Sequence, residues 1–85
     1  MDFNELIKNI DKIHTTELGI VRIKRNLEFK ENDIVNWCKN LVIKSKEIYK
    51  KGKNWYVYYD NIIITINGNS YTIITAHKMK YKSSK

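Results

Sequence analysis

Apolar residues change their spacing about halfway along the chain. Up to about residue 45 they recur every three or four positions, as on one face of a helix, whereas after residue 46 they alternate with polar residues. No proline interrupts either half. Because helices precede strands, the pattern predicts an α+β domain with its helices packed on one face of an antiparallel sheet.

The spacing predicts three helices, over about residues 2–13, 16–26 and 32–41. Asp2 is expected to cap the first helix, with Glu5 three positions later as in a capping box. The apolar face of this first helix comprises Phe3, Leu6, Ile7, Ile10 and Ile13.

The second and third predicted helices have less regular features. Gly19 is a weak point of the second helix, and its segment "VRIKR" also alternates in the manner of a strand. The third helix is expected to begin at Asn32 or Asp33. Its inward residues are predicted to be Ile34, Val35, Cys38, Leu41 and Val42, with Trp37 near the rim of the core.

The alternating half predicts a four-stranded antiparallel meander over about residues 47–51, 54–59, 61–66 and 70–78. The segments "GK", "DN" and "NGNS" are expected to form the tight turns, because glycine, asparagine and aspartate tolerate positive φ. The chain of 85 residues is expected to form a single domain over residues 1–85, with a frayed polar tail over 78–85.

Two-residue turns keep the alternation of side chains in phase from one strand to the next. The more apolar face should therefore pack against the helices, and the second, mixed face should remain open. The apolar face comprises Trp55, Val57, Tyr59, Ile62, Ile64, Ile66, Tyr71, Ile73, Thr75 and His77. The mixed face comprises Tyr56, Tyr58, Ile63, Thr65, Thr72, Ile74, Ala76 and Lys78.

Positive charge is concentrated in the second half of the chain. The net charge is +7, and residues 1–43 hold seven basic and seven acidic residues, whereas residues 44–85 hold nine lysines and two acids. This asymmetry favours an anionic partner, of which nucleic acid is the commonest and RNA the preferred expectation here. The other interpretation is that the lysines solubilise the chain and protect the sheet edges.

The composition also narrows the cellular setting. No apolar run approaches the roughly 20 residues of a membrane span, and the acidic, amphipathic N-terminus is not a secretory signal. A single cysteine, Cys38, fits a reducing cytosol and leaves few ligands for zinc. We therefore expect a cytoplasmic protein with no metal, no cofactor and no membrane partner.

The mixed face supplies the candidate nucleic-acid-binding residues. Tyrosine rings stack on bases, and hydroxyl and ammonium groups contact phosphates. The alternative is a solvated face on which tyrosine and threonine occur for their β-propensity. With the flanking lysines, the candidates are Lys50, Lys51, Lys53, Tyr56, Tyr58, Thr65, Thr72 and Lys78.

Four ionisable residues are candidates for RNA cleavage. His14 could act as a general base, and His77 could complete an acid–base pair if the two lie close together. Arg22 and Arg25 share a helix face and suit phosphate binding. The alternatives are that His14 completes a helix cap and that the arginines form salt bridges. No phosphate-binding glycine loop, acidic cluster or nucleophilic triad is present in the sequence.

Four segments carry a resemblance to known families, namely "HTTELGIVRIKRNL", "DIVNWCKN", "KGKNWYVYYD" and "ITINGNSYTIITAHK". Over residues 14–78 they resemble a small bacterial domain family of unknown function, which implies no activity. The layout is also similar to the barnase–EndoU–colicin–RelE class of metal-free ribonuclease toxins. In "TIITAH" the chain resembles the last-strand pattern of that class, which implies roles for His14, for Arg22 or Arg25, and for Thr75. The sheet lacks the acidic general base of barnase.

Three functions follow as hypotheses. The first is a small RNA-binding domain of the ribonuclease-toxin class that cleaves RNA without metal. The second is a non-catalytic module or inhibitor, of the phage or mobile-element type, that binds nucleic acid or an acidic protein. The third is a homodimer formed through the mixed sheet face or an edge strand.

Overall fold

A computed structural model describes residues 4–27 and 33–79 of the protein. Helices come first and a four-stranded sheet follows, so the predicted α+β class is confirmed. The strands form an antiparallel meander in the order β1-β2-β3-β4. The elements are α1 (Asn4–Lys8), a 3₁₀ turn (Ile10–Lys12), α2 (Glu17–Leu27), α3 (Ile34–Lys44), β1 (Glu47–Lys51), β2 (Asn54–Tyr59), β3 (Ile62–Asn67) and β4 (Ile73–Lys78).

The first predicted helix is divided into two pieces at Asn9. The backbone N–H of Asn9 donates to the carbonyl of Leu6 (3.1 Å), and its side-chain amide donates to the carbonyl of Glu5 (2.9 Å). The side chain thereby satisfies a carbonyl that the next α-helical turn would have used. The predicted cap Asp2 and the apolar residue Phe3 lie outside the described residues.

The other two helices follow the sequence pattern closely. Helix α2 lies within about one residue of its prediction. Asp33 caps α3 by accepting a hydrogen bond from the Asn36 N–H (3.1 Å), as predicted. Helix α3 extends three residues beyond the predicted end because Ser45 closes it, donating its N–H to the carbonyl of Leu41 (2.8 Å). Val35 is half-buried rather than fully inward.

One apolar core lies between the helices and one face of the sheet. Helix α2 packs along β4, and α3 packs against β2. Fully burying a side chain of this kind contributes about 1.5–3 kcal/mol, so the sheet and the helices stabilise each other. The buried apolar side chains are Leu6, Ile13, Ile23, Leu27, Ile34, Cys38, Leu41, Val42, Ile48, Trp55, Val57, Ile64, Ile66, Ile73 and Ala76.

The first two hairpins have the predicted register. Lys51 pairs with Asn54 across a two-residue turn, in which Gly52 has a φ of 64°. Tyr59 pairs with Ile62 across the second turn. Both pairings keep the side chains in phase, so the predicted faces of β2 and β3 are confirmed.

The third hairpin differs from its prediction in two ways. Its loop is longer than two residues, because Asn67 Oδ1 accepts hydrogen bonds from the N–H groups of Asn69 (2.8 Å) and Ser70 (2.9 Å). Ile66 therefore pairs with Ile73, and β4 begins at residue 73 rather than 70. A β-bulge then shifts the register between Ile66 and Thr65.

The bulge reverses the faces of the second part of β4. Thr75 pairs with Thr65 and His77 pairs with Ile63, so both lie on the face opposite the core. Ala76 is buried, and Lys78 pairs with Ile62 on the helix-covered face. The predicted faces of these four β4 residues were wrong, because one extra residue in a strand inverts all that follow it.

The two edges of the sheet are different. The outer side of β4 is covered: Ile73 N–H donates to the carbonyl of His14 (2.7 Å), and Thr15 Oγ1 donates to the carbonyl of Ile73 (2.9 Å). Further along, the Asn26 amide donates to the carbonyl of Ala76 (3.4 Å). Strand β1 forms the other edge, and no strand of the described ranges pairs with its outer side.

Candidate nucleic-acid interface

The face of the sheet opposite the core, here called the open face, presents three neighbouring tyrosines. Tyr49 on β1 pairs with Tyr56 on β2, and Tyr58 lies two residues further along β2. The rings of Tyr49 and Tyr58 meet edge to face, with centroids 5.8 Å apart and planes at 73°. Tyr49 is 56% exposed, and the other two are half-buried. This tyrosine cluster offers aromatic surface to solvent.

The tyrosine cluster surrounds a shallow depression of about 670 Å³. Lys51 lies on the same face as the tyrosines, because it follows Tyr49 by two positions on β1. The depression therefore combines ring faces with an ammonium group. Its full lining is Tyr49, Lys50, Lys51, Gly52, Tyr56 and Tyr58.

The open face becomes more polar from β2 towards β4. One row of paired residues runs from Tyr49 and Tyr56 to Thr65 and Thr75. The neighbouring row comprises Glu47, Tyr58, Ile63 and His77. The Asn26 amide donates to Thr75 Oγ1 (3.3 Å), so helix α2 borders this face at β4.

Three of the predicted binding lysines do not extend from the open face. The ammonium of Lys50 lies over the ring of Trp55, 5.3 Å from its centroid, on the side of the core. Lys53 lies in the exposed turn between β1 and β2, and Lys78 lies on the helix-covered face. Among the predicted binding residues, the open face therefore brings together Lys51, Tyr56, Tyr58 and Thr65.

A second polar cluster lies where β4 begins. His14 Nδ1 is 2.8 Å from the carbonyl of Lys12, and His14 Nε2 is 3.1 Å from Thr72 Oγ1. Thr72 Oγ1 is in turn 2.8 Å from Ser70 Oγ. Because a carbonyl only accepts, Nδ1 carries a proton. In the neutral form of the ring, Nε2 then presents its lone pair to the Thr72 hydroxyl. The imidazole is thus oriented in the manner of a general base.

The backbone beside this cluster is strained. Tyr71 has a φ of 59°, which is uncommon for a bulky residue and costs on the order of 1–3 kcal/mol. Its N–H donates to the carbonyl of Asn67 (2.9 Å), and its carbonyl accepts from the N–H of His14 (3.1 Å). These contacts hold the loop against the segment that carries the histidine.

The two histidines do not converge. His14 lies beside Thr72, just before β4 begins. His77 follows Thr72 by five residues, which corresponds to about 16 Å along an extended strand. Arg22 and Arg25 are exposed on α2. Arg22 is one turn before Asn26 and shares its stripe of the helix, which borders the open face. The predicted catalytic residues therefore do not form a single cleft.

Some residues of these two sites were absent from the sequence prediction. Tyr49 is one, although pairing across the Gly52 turn would have placed it opposite Tyr56. Asn67 and Ser70 were predicted only as turn residues, and Asn26 only as the last residue of the second helix. The contacts of Asn67 and Ser70 lie within the loop itself. Those of Asn26 join segments far apart in the chain, and no spacing in the sequence indicates them.

Cys38 is a core residue and not a site residue. Its side chain is fully buried, and burial raises the pKa of the thiol from 9.0 to about 12. Within residues 4–27 and 33–79, no group of three or more histidine, cysteine or acidic side chains is placed to hold a metal ion.

Cys38 is expected to resist alkylation in the folded protein. The raised pKa lowers the thiolate fraction about a thousandfold below pH 9, because the neutral thiol is the form that burial favours. Iodoacetamide labelling followed by mass spectrometry should be slow without denaturant and fast in urea. A Cys38→Ala, Asn40→Cys variant, with its cysteine at an exposed position of the same helix, is the matched control. Equal rates for the two proteins would contradict the burial.

The fold and its open face define a class: a small α+β domain in which the described helices cover one face of an antiparallel meander. Residues 7–77 match a family described as protein of unknown function (DUF3781), and the chain belongs to this family. The match confirms the resemblance to a domain family of unknown function. No curated protein and no solved structure gave a match. None of the described helices is both long and apolar enough to cross a membrane.

Proposed function

We propose that this domain binds single-stranded RNA on its open sheet face. The observation that carries the proposal is the tyrosine cluster around an open depression with Lys51 beside it. Stacking of a base on an aromatic side chain contributes about 1–3 kcal/mol and tolerates any base. Tyr49 and Tyr56 lie on adjacent strands and can each hold one of two neighbouring bases.

The charge distribution supports the same partner. Residues 44–85 carry all of the net positive charge, and Lys46, Lys51 and Lys53 are exposed at the β1 side of the sheet. Each phosphate contact by a lysine releases a counterion, so affinity should fall steeply as salt rises. Glu47 is the one acid within the four strands, which carry three lysines.

The proposal is tested with a fluorescently labelled oligouridine of about 12 nucleotides, which is long enough to place several bases on the open face. Fluorescence anisotropy should show that Tyr56→Ala weakens binding about tenfold, whereas Tyr56→Phe, which keeps the ring, binds like the wild type. Unbound RNA, or equal effects of the alanine and phenylalanine variants, would refute stacking on this face.

A second pair of variants tests the electrostatic contribution to RNA binding. Lys51→Glu should weaken binding and lower its salt dependence, because a phosphate contact is lost. Lys8→Glu makes the same charge change at an exposed position of α1 and is expected to have a smaller effect. If RNA binds and a polyglutamate peptide does not displace it, an acidic protein is the wrong class of partner. If the peptide binds and RNA does not, the proposal fails.

RNA cleavage at His14 is a second candidate, favoured by the orientation of its imidazole. In such a reaction Nε2 would take the proton of an RNA 2′-hydroxyl that has displaced Thr72. The 2′-oxygen would then attack the adjacent phosphorus, and the departing 5′-oxygen would take a proton from solvent. RNA digestion in EDTA should be abolished in His14→Ala and unchanged in His77→Ala. Intact RNA with the wild type would exclude this activity.

A further inference from the structure

Strand β1 is a free edge with a self-complementary sequence. It reads Glu47-Ile48-Tyr49-Lys50-Lys51, and its outer side pairs with no described strand. If a second copy pairs antiparallel about Tyr49, each Glu47 lies opposite Lys51 of the other copy. A two-fold interface requires such a surface, because each patch must complement itself.

The hydrogen-bonding pattern of β1 fits this pairing. Lys51 and Asn54 flank a two-residue turn, so they form a hydrogen-bonded pair and direct their backbone groups at each other. Hydrogen-bonded and non-hydrogen-bonded pairs alternate along an antiparallel ladder. The backbone groups of Ile48 and Lys50 therefore point away from β2 and are free to bond a further strand. Around a two-fold axis at Tyr49, Ile48 of one copy faces Lys50 of the other, and all four residues find backbone partners.

Charge selects this register among the alternatives. The outward groups of Ile48 and Lys50 permit two-fold axes at Ile48, at Tyr49 or at Lys50. An axis at Ile48 would place Lys46 opposite Lys50, and an axis at Lys50 would place two lysines face to face. The axis at Tyr49 places no two lysines opposite each other, and within β1 it alone sets opposite charges against each other, at Glu47 and Lys51.

We propose that two copies of this chain pair through β1 to form a continuous eight-stranded sheet. The exposed Tyr49 rings then meet across the axis at a close, non-hydrogen-bonded position, and the two tyrosine clusters become one surface. The pairing uses the strand edge and two ion pairs, so it does not require RNA or depend on RNA binding.

Sedimentation velocity on the RNA-free protein tests the pairing. The 10.2 kDa chain should sediment with twice that mass as concentration rises. Glu47→Lys and Lys51→Glu should each weaken self-association about tenfold. Each variant places like charges opposite one another at both of the two contacts between position 47 and position 51 in the dimer. Glu5→Lys makes the same charge change on α1 and should leave the dimer intact. Circular dichroism verifies that each variant is folded.

Mixing the two single variants gives the decisive result. In a mixed pair every position 47 again faces an opposite charge at position 51, so the variants should associate with each other more tightly than with themselves. The double variant Glu47→Lys, Lys51→Glu should likewise restore the homodimer. A wild type that stays monomeric at millimolar concentration, or a mixture that associates no better than its components, would overturn the proposal.

Discussion

Ala76→Asp is expected to unfold the domain at room temperature, whereas His77→Asp is expected to leave it folded. Ala76 is 0% exposed and pairs with Ile64, which is also 0% exposed. An unpaired carboxylate in such a site costs several kcal/mol, comparable with the whole stability of a small domain. His77 lies on the open face, where a carboxylate remains hydrated.

Thermal melts followed by circular dichroism would measure this difference. The comparison is a direct test of the β-bulge, because a third hairpin without it would place His77 inside and Ala76 outside. The opposite outcome, a folded Ala76→Asp and an unfolded His77→Asp, would show that β4 has the other register. Thr75→Asp, also on the open face, should behave like the His77 variant apart from its lost contact with Asn26.

Gly19→Ala is expected to destabilise the protein by about 1–3 kcal/mol, the usual cost of overpacking. On helix propensity alone it would be stabilising by about 1 kcal/mol. The added methyl group would collide with Thr15 Oγ1. That hydroxyl donates to the carbonyl of Ile73 (2.9 Å) and so joins the start of α2 to β4. Urea denaturation gives the free energy of unfolding of both proteins.

A double-mutant cycle separates the collision from other causes. In a Thr15→Ala background the hydroxyl is gone, and the same Gly19→Ala change should be neutral or stabilising by up to about 1 kcal/mol. An equal loss of stability in both backgrounds would mean that the glycine is needed for a reason other than Thr15. Gly19, which the sequence predicted to be a weak point of the helix, lies where a larger side chain would collide with Thr15.

Local patterns were sufficient for much of the fold. The turns at Gly52 and at Asp60 are two residues long, so each fixes the register of its hairpin and the faces of β2 and β3. Asp33 and the 3.6-residue spacing similarly located α3. In each case the responsible residues lie within a few positions of one another.

The parts that the sequence did not predict depend on the hydrogen bonds of one loop and on contacts between distant segments. The third loop is widened by Asn67, and the bulge after it lies where β4 is held by Thr15 and Asn26, about 50 residues earlier in the chain. No alternation in "SYTIITAHK" reveals the extra residue. The distinction between local and distant contacts applies to the sites as well. Tyr56 and Tyr58 were located by the alternation within one strand, whereas the orientation of His14 depends on Thr72, which is distant in the chain.

The cover over the outer side of β4 limits how copies of this protein can join. On the outer side of β4, the N–H and carbonyl of Ile73 and the carbonyl of Ala76 are bonded to His14, Thr15 and Asn26. Within residues 4–27 and 33–79, β1 is therefore the end of the sheet that is open to a further strand. A chain with a single such end can add one neighbour and then stops, so pairing through β1 cannot propagate into a fibre. In the proposed dimer, the N-terminal half therefore limits assembly as well as forming a layer of the core.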